Sequence, residues 1–134
     1  MPFAYGLSHV GRRQNNEDAF CIAPHLGLYA VADGMGGYHG GEVASRLVVE
    51  SLLRFFEETT VITDGRAAAS RLDGAIRSAA TSVAREAEGE LAEMGSTVAA
   101  VWLKGSNLVV AHVGDSRVYR LRNGKLEQLT RDHS

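Results

Sequence analysis

Four carboxylates in this sequence stand at the ends of apolar runs rather than on the polar face of a helix. Asp33 closes LYAVA, Asp115 follows LVVAHVG, and Glu17 with Asp18 directly precedes AFCIA. A carboxylate at the rim of a buried strand is anchored by the strand's apolar residues. Three such rims converge on one point if their strands are neighbours. Clustered carboxylates repel unless a cation neutralises them. With no histidine or cysteine company, the donors are hard oxygens, which suit magnesium, manganese or calcium and not zinc. Any one of these aspartates alone reads first as a turn residue, since Asp-Gly and Gly-Asp-Ser are ordinary turn chemistry. The three together, beside NNED and a glycine cluster, are what point to a site.

The glycine cluster follows Asp33 directly: five of residues 34–41 are glycine. Glycine loses more backbone entropy on folding than any other residue, so a cluster marks close approach to the backbone or positive φ. A nucleotide cradle does not fit, because His39 occupies the third glycine position of G-x-G-x-x-G. There is also no Gly-Lys-Ser/Thr ending and no parallel βαβ pattern. Arg13 stands four residues before Glu17, and a guanidinium fork can hold two oxygens of a phosphate. Arg12 beside it offers the same fork, and composition does not choose between them. The histidines at 9, 25, 39, 112 and 133 lack a metal-like i, i+4 partner. Ser8 and Ser116 have no base at a telling spacing, so a nucleophilic serine is not indicated.

These residues need elements to hold them. A chain of 134 residues makes one small domain. A net charge of −2 offers no basic face for nucleic acid. Cys21 is the single cysteine, which excludes a disulfide framework and a four-cysteine zinc site. No leader segment or run of ~18 apolar residues is visible, as expected of a cytoplasmic chain with no membrane partner.

Alternation predicts a half-buried strand over residues 3–10, then a hairpin from residues 19–23 and 26–32 around Pro24 and His25. The period changes to helical over residues 42–56, with Glu42 in the first turn. A second helix is predicted over about 66–93, with Asp64 as a cap and Leu72, Ile76, Ala79, Val83, Ala87 and Leu91 as its apolar stripe. Strands return at 96–103, 108–113, 117–121 and 126–129, and Asn123-Gly124 is a two-residue hairpin signal. Such short connections require antiparallel pairing. The class is α+β, an antiparallel sheet with helices segregated on it.

In order along the chain, GRRQNNEDAF, LYAVADGMGGYHGGEVAS, MGSTVAAVW and VVAHVGDSRVYRLRNGKLEQLTRDHS resemble the metal-dependent type-2C serine/threonine protein phosphatases in their bacterial form. The resemblance implies an antiparallel β-sandwich flanked by helices, truncated here, with a metal cleft at one edge. It assigns substrate phosphate to Arg13 rather than Arg12. It implies that Asp33 bridges two metals, that Gly34 gives a carbonyl ligand, and that Glu17 and Asp18 act near the metals through water. Asp115 resembles the ligand of a third ion. The implied cofactor is Mn2+ or Mg2+, and the implied activity is hydrolysis of phosphoserine and phosphothreonine on proteins by a metal-activated water, without a covalent intermediate. A serine/threonine kinase is the implied counterpart. Met35 follows the DG where some members carry a histidine proton donor, so the resemblance implies that a metal-bound water or another group protonates the leaving alkoxide, with His39 a lesser candidate.

By the same resemblance, residues 1–134 are the N-terminal portion of a single catalytic domain. Two further metal-ligating aspartates belong to the part not represented. The isolated chain is therefore expected to be inactive or feebly active unless another chain completes it. The alternative reading is a non-enzymatic fragment or pseudophosphatase that binds without turnover.

Overall fold

The computed structural model describes residues 3–12, 16–37, 39–58 and 61–133. The first alternating runs form the expected hairpin. Strand β1 (Asp18–Ala23) pairs antiparallel with β2 (Leu28–Met35) across one 3-10 turn at Pro24–Leu26. The glycine cluster then passes into helix α1 (Gly40–Glu57), which starts two residues before the predicted one. Helix α2 (Gly65–Glu86) is capped as expected, its Ala67 amide donating to Asp64 Oδ1 at 2.8 Å. It ends well short of residue 93. Ala87 leaves the helical region at ψ 70°, Glu88 is extended at φ −131° and ψ 153°, and a short 3-10 turn at Gly89–Leu91 follows.

The chain returns as β3 (Gly95–Ser96), β4 (Val98–Lys104), β5 (Asn107–Val113), β6 (Tyr119–Arg122) and β7 (Lys125–Gln128). The main sheet runs β1-β2-β4-β5, with β3 on the end of β2; β6 and β7 form a separate ribbon. Every pairing is antiparallel. Asn123 and Gly124 both take positive φ (51° and 75°), as a type I′ hairpin turn requires. The α+β class holds.

One element differs. Residues 3–10 form no strand among the described residues, and Phe3, Tyr5 and Leu7 are exposed. The segment touches a sheet face through Gly6, and its large apolar side chains remain exposed. A Cβ at Gly6 would run into the Phe20 ring, so the bare backbone of Gly6 lies against that side chain.

The two faces of the sheet are used differently. Cys21, Ala23, Leu28, Ala30, Ala32, Val98, Ala100 and Trp102 are buried with Leu52 and Phe56 of α1 and Leu72, Ala75 and Ala79 of α2 in one core. Alanines near the middle let the helices approach closely. Leu28, Leu52, Leu72 and Trp102 fill the rest, each buried aliphatic side chain contributing about 1.5–3 kcal/mol. The opposite face carries Phe20, Ile22, Val31 and Leu108, all partly exposed. Asp18 and Asp33 project on that second face, because β1 and β2 bury their alternate residues.

Candidate metal site

The hairpin places two carboxylates directly across from each other. Asp18 and Asp33 are register partners at the open end of β1 and β2, so their side chains stand side by side on the outward face. Like charges in that position repel, and a cation between them relieves the cost. The rung continues across the sheet. Extending the β2–β4 register by two further pairs sets Thr97 beside Asp33, and extending the β4–β5 register by one sets Gly114 beside Thr97. A cleft of about 370 Å³ opens over this end, lined by Ser8, His9, Asp18, Asp33 and Ser116 among others.

Glu17 sits just inside the rim. Its carbonyl accepts the Gly34 amide at 3.0 Å, and its carboxylate lies against Gly41 at the start of α1. Neither glycine tolerates a side chain. A Cβ on Gly34 would overlap the Gly41 and Glu17 carbonyls, and one on Gly41 would overlap the Glu17 carboxylate. Glu17 Oε2 is buried and accepts no hydrogen bond from the described residues. A buried carboxylate oxygen without a donor is costly, and a bound cation or its water would satisfy it. Two aspartates across a rung, a buried glutamate oxygen and a backbone stripped of side chains thus fit a hard divalent cation. The helix N-terminus beside Glu17 adds a favourable dipole for the carboxylate.

Asp115 is held separately. Among the described residues, no three acidic, histidine or cysteine side chains gather closely enough to hold an ion. The three-rim convergence is therefore met as a facing pair, with Asp115 on the neighbouring loop. That loop is tied down on two sides. Inside, Thr97 Oγ1 and Ser116 Oγ lie 2.6 Å apart. Outside, the Gly114 amide donates to His133 Nδ1 at 3.0 Å, and the His133 amide donates to the Gly114 carbonyl at 3.1 Å. The His133 ring stacks on His112, and Arg117 forks onto both carboxylate oxygens of Asp132 at 2.9 and 2.6 Å. The Arg117 guanidinium holds the Asp132 carboxyl below its usual range.

Arg13 lies outside the described residues. His39 is exposed and precedes α1 without a side-chain cap bond. Cys21 is inert core material, its thiol pushed up to about 11 by burial. Sequence reasoning did not find Thr97, nor the return of residues 130–133 to the GDS loop. Both lie within the quoted motifs, but only contacts distant in sequence bring them to Asp33 and to the loop that carries Asp115.

Comparison with known proteins now bears on this arrangement. A family model described as protein phosphatase 2C matches residues 5–134. The serine/threonine protein phosphatase PstP of Mycobacterium tuberculosis is 40% identical over 122 residues, covering 90% of this chain and 23% of that protein. The serine/threonine phosphatase stp of Listeria monocytogenes is 39% identical over 127 residues, covering 91% of this chain and 50% of its own length. A crystal structure of the PstP catalytic domain in complex with two manganese ions superposes with a TM-score of 0.75 at 40% identity, covering 90% of this chain and 50% of that one. The chain thus spans half or less of the length of these relatives.

Proposed function

The chain belongs to the protein phosphatase 2C family, and we propose on that premise that it carries the metal- and phosphate-binding rim of a metal-dependent phosphatase acting on phosphoserine and phosphothreonine in proteins. The observation that carries the reading is the facing pair Asp18 and Asp33 at the rim where a Glu17 oxygen is buried with no donor among the described residues. Manganese or magnesium ions, when bound, would supply a water acidic enough to attack phosphorus at neutral pH and would neutralise phosphoryl charge, with no covalent phosphoenzyme.

The chain's own residues do the positioning. Asp33 and the Gly34 carbonyl would hold the ions, the latter reachable because no side chain stands over it. Asp18 and Glu17 would orient water around them, and Asp115 would serve a further ion. Arg13 would fix the substrate phosphate through two parallel N–H donors, aligning phosphorus for in-line attack. The net charge of −2 supports a protein substrate over nucleic acid. No helix is long and apolar enough to cross a membrane among the described residues, and we place the chain in the cytoplasm, opposite a serine/threonine kinase.

A second reading is favoured by one observation: no three ligating side chains gather among the described residues. On that reading the chain binds metal and phosphoprotein without turnover. Hydrolysis of p-nitrophenyl phosphate, with and without Mn2+, separates the two when paired with Mn2+ binding and an Asp33→Ala variant. Mn2+-dependent turnover that the variant loses supports the phosphatase. Mn2+ binding lost in the variant, with no turnover in either form, supports the binding module. Equal behaviour of both forms in both assays would overturn the metal site.

A further inference from the structure

We propose that Thr97 is a positioning residue for Asp33, and that Thr97 and Ser116 together lock the DG strand to the GDS loop so that Asp33 and Asp115 are held as one unit. The inference rests on reading Asp33 as a metal ligand.

Thr97 stands in the gap between β3 and β4, only 7% exposed. A buried hydroxyl must be partnered, and here both partners are functional segments. The Asp33 amide donates to Thr97 Oγ1 at 2.9 Å, and the Thr97 amide returns a bond to the Asp33 carbonyl at 2.9 Å. In an ordinary ladder the Asp33 amide would donate to a backbone carbonyl. The Thr97 carbonyl instead accepts the Ser96 hydroxyl at 2.8 Å, and the Thr97 side chain takes the amide in its place. The sheet therefore swaps a backbone acceptor for a hydroxyl at the rung where Asp33 stands.

That substitution does what a carbonyl cannot. A hydroxyl accepts and donates at once, so Thr97 Oγ1 serves Asp33 and also shares a hydrogen with Ser116 Oγ at 2.6 Å. Ser116 follows Asp115 and lines the cleft that Asp18 and Asp33 also line. The Thr97 methyl completes the fit. Gly114 sits against it at φ +100°, and a Cβ on Gly114 would come within 2.8 Å of Thr97 Cγ2. Hydroxyl and methyl thus press the Asp115 loop and the Asp33 strand onto one side chain.

The isosteric variant Thr97→Val keeps the methyl contact and removes the hydroxyl, and Thr97→Ser does the reverse. In the 134-residue chain, Mn2+ affinity is read from the electron paramagnetic resonance of free Mn2+, and amide exchange at Asp33 by NMR. Thr97→Val is expected to weaken Mn2+ binding about tenfold or more, as loss of a ligand's supporting bond does, and to speed Asp33 exchange. Thr97→Ser is expected to stay near the original on both. Normal affinity and exchange in Thr97→Val would overturn the inference while leaving the metal site standing. If the unsubstituted chain takes up no Mn2+, the reading of Asp33 as a ligand fails here, and the exchange measurement alone judges the lock. Should Thr97→Val not fold, Ser116→Ala carries the test: weaker Mn2+ binding supports the coupling, and unchanged binding refutes it.

Discussion

The two faces of the β1-β2-β4-β5 sheet are made by the same strands, yet they obey different rules. Along β2, Leu28, Ala30 and Ala32 point to the helices and are buried, while Val31 and Asp33 point the other way and are exposed. On the helix side each position is chosen by volume: alanines where helices press close, large side chains where they diverge. On the outward side the choices lower local stability. Two carboxylates face each other there, and at the same rim, against the start of α1, a glutamate oxygen is buried without a donor among the described residues. A protein tolerates such a face only when something else compensates, and here a cation would. The contrast teaches where to look for function: not at the best-packed part of the sheet but where its alternation ends in groups that packing does not explain.

The largest effect should come where the two faces meet. Gly34→Ala forces a Cβ into the Gly41 and Glu17 carbonyls, neither of which is a flexible side-chain end. We expect about 3 kcal/mol or more of lost stability by urea unfolding. Gly37→Ala, whose Cβ would meet nothing within 4 Å, should lie within about 1 kcal/mol of the original. Equal costs for the two would mean that the close approach of β1, β2 and α1 is not real. On the packed face, Leu72→Ala should cost about 2–5 kcal/mol through the cavity it leaves. On the outward face, Val31→Ser removes a side chain already 46% exposed and should cost no more than about 1 kcal/mol. A reversal of that order would break the comparison outright.

Smaller effects sharpen it. Asp64→Ala should cost about 1 kcal/mol by removing the cap of α2. The Arg117–Asp132 pair gives a pH signature. Asp132 is depressed in the folded chain, so its stabilisation is present above the ordinary aspartate pKa and is lost as pH falls through the lower folded value. Unfolding midpoints should thus fall on acidification by less in Asp132→Asn than in the original, a small difference because the pair is exposed.

Much of this is legible in the sequence alone. Alternation located the hairpin that sets Asp18 opposite Asp33, because a connection as short as Pro24–Leu26 leaves little freedom in register. Asp64 announced α2, and Asn123 with Gly124 announced the ribbon turn. Two failures have physical reasons. Residues 3–10 alternate like a strand, but alternation does not supply an edge to pair with, and here Gly6 meets the Phe20 ring on a sheet face while Phe3, Tyr5 and Leu7 stay exposed. The far end of α2 was overextended because Ala87 and Leu91 keep the helical period, whereas the backbone leaves the helix at Ala87 and is extended at Glu88. The roles of Thr97 and His133 were out of reach for another reason. Each depends on contacts far apart in sequence, 64 residues in the case of Thr97 and Asp33, and no local spacing encodes them.

The most direct test of the central claim is to map where a paramagnetic cation binds. Mn2+ titrated into the isotopically labelled chain should broaden the amide signals of Glu17, Asp18, Asp33 and Gly34 first, with Asp33→Ala abolishing the effect. Broadening centred elsewhere, or unchanged in Asp33→Ala, would contradict the assignment of this sheet rim as the metal site.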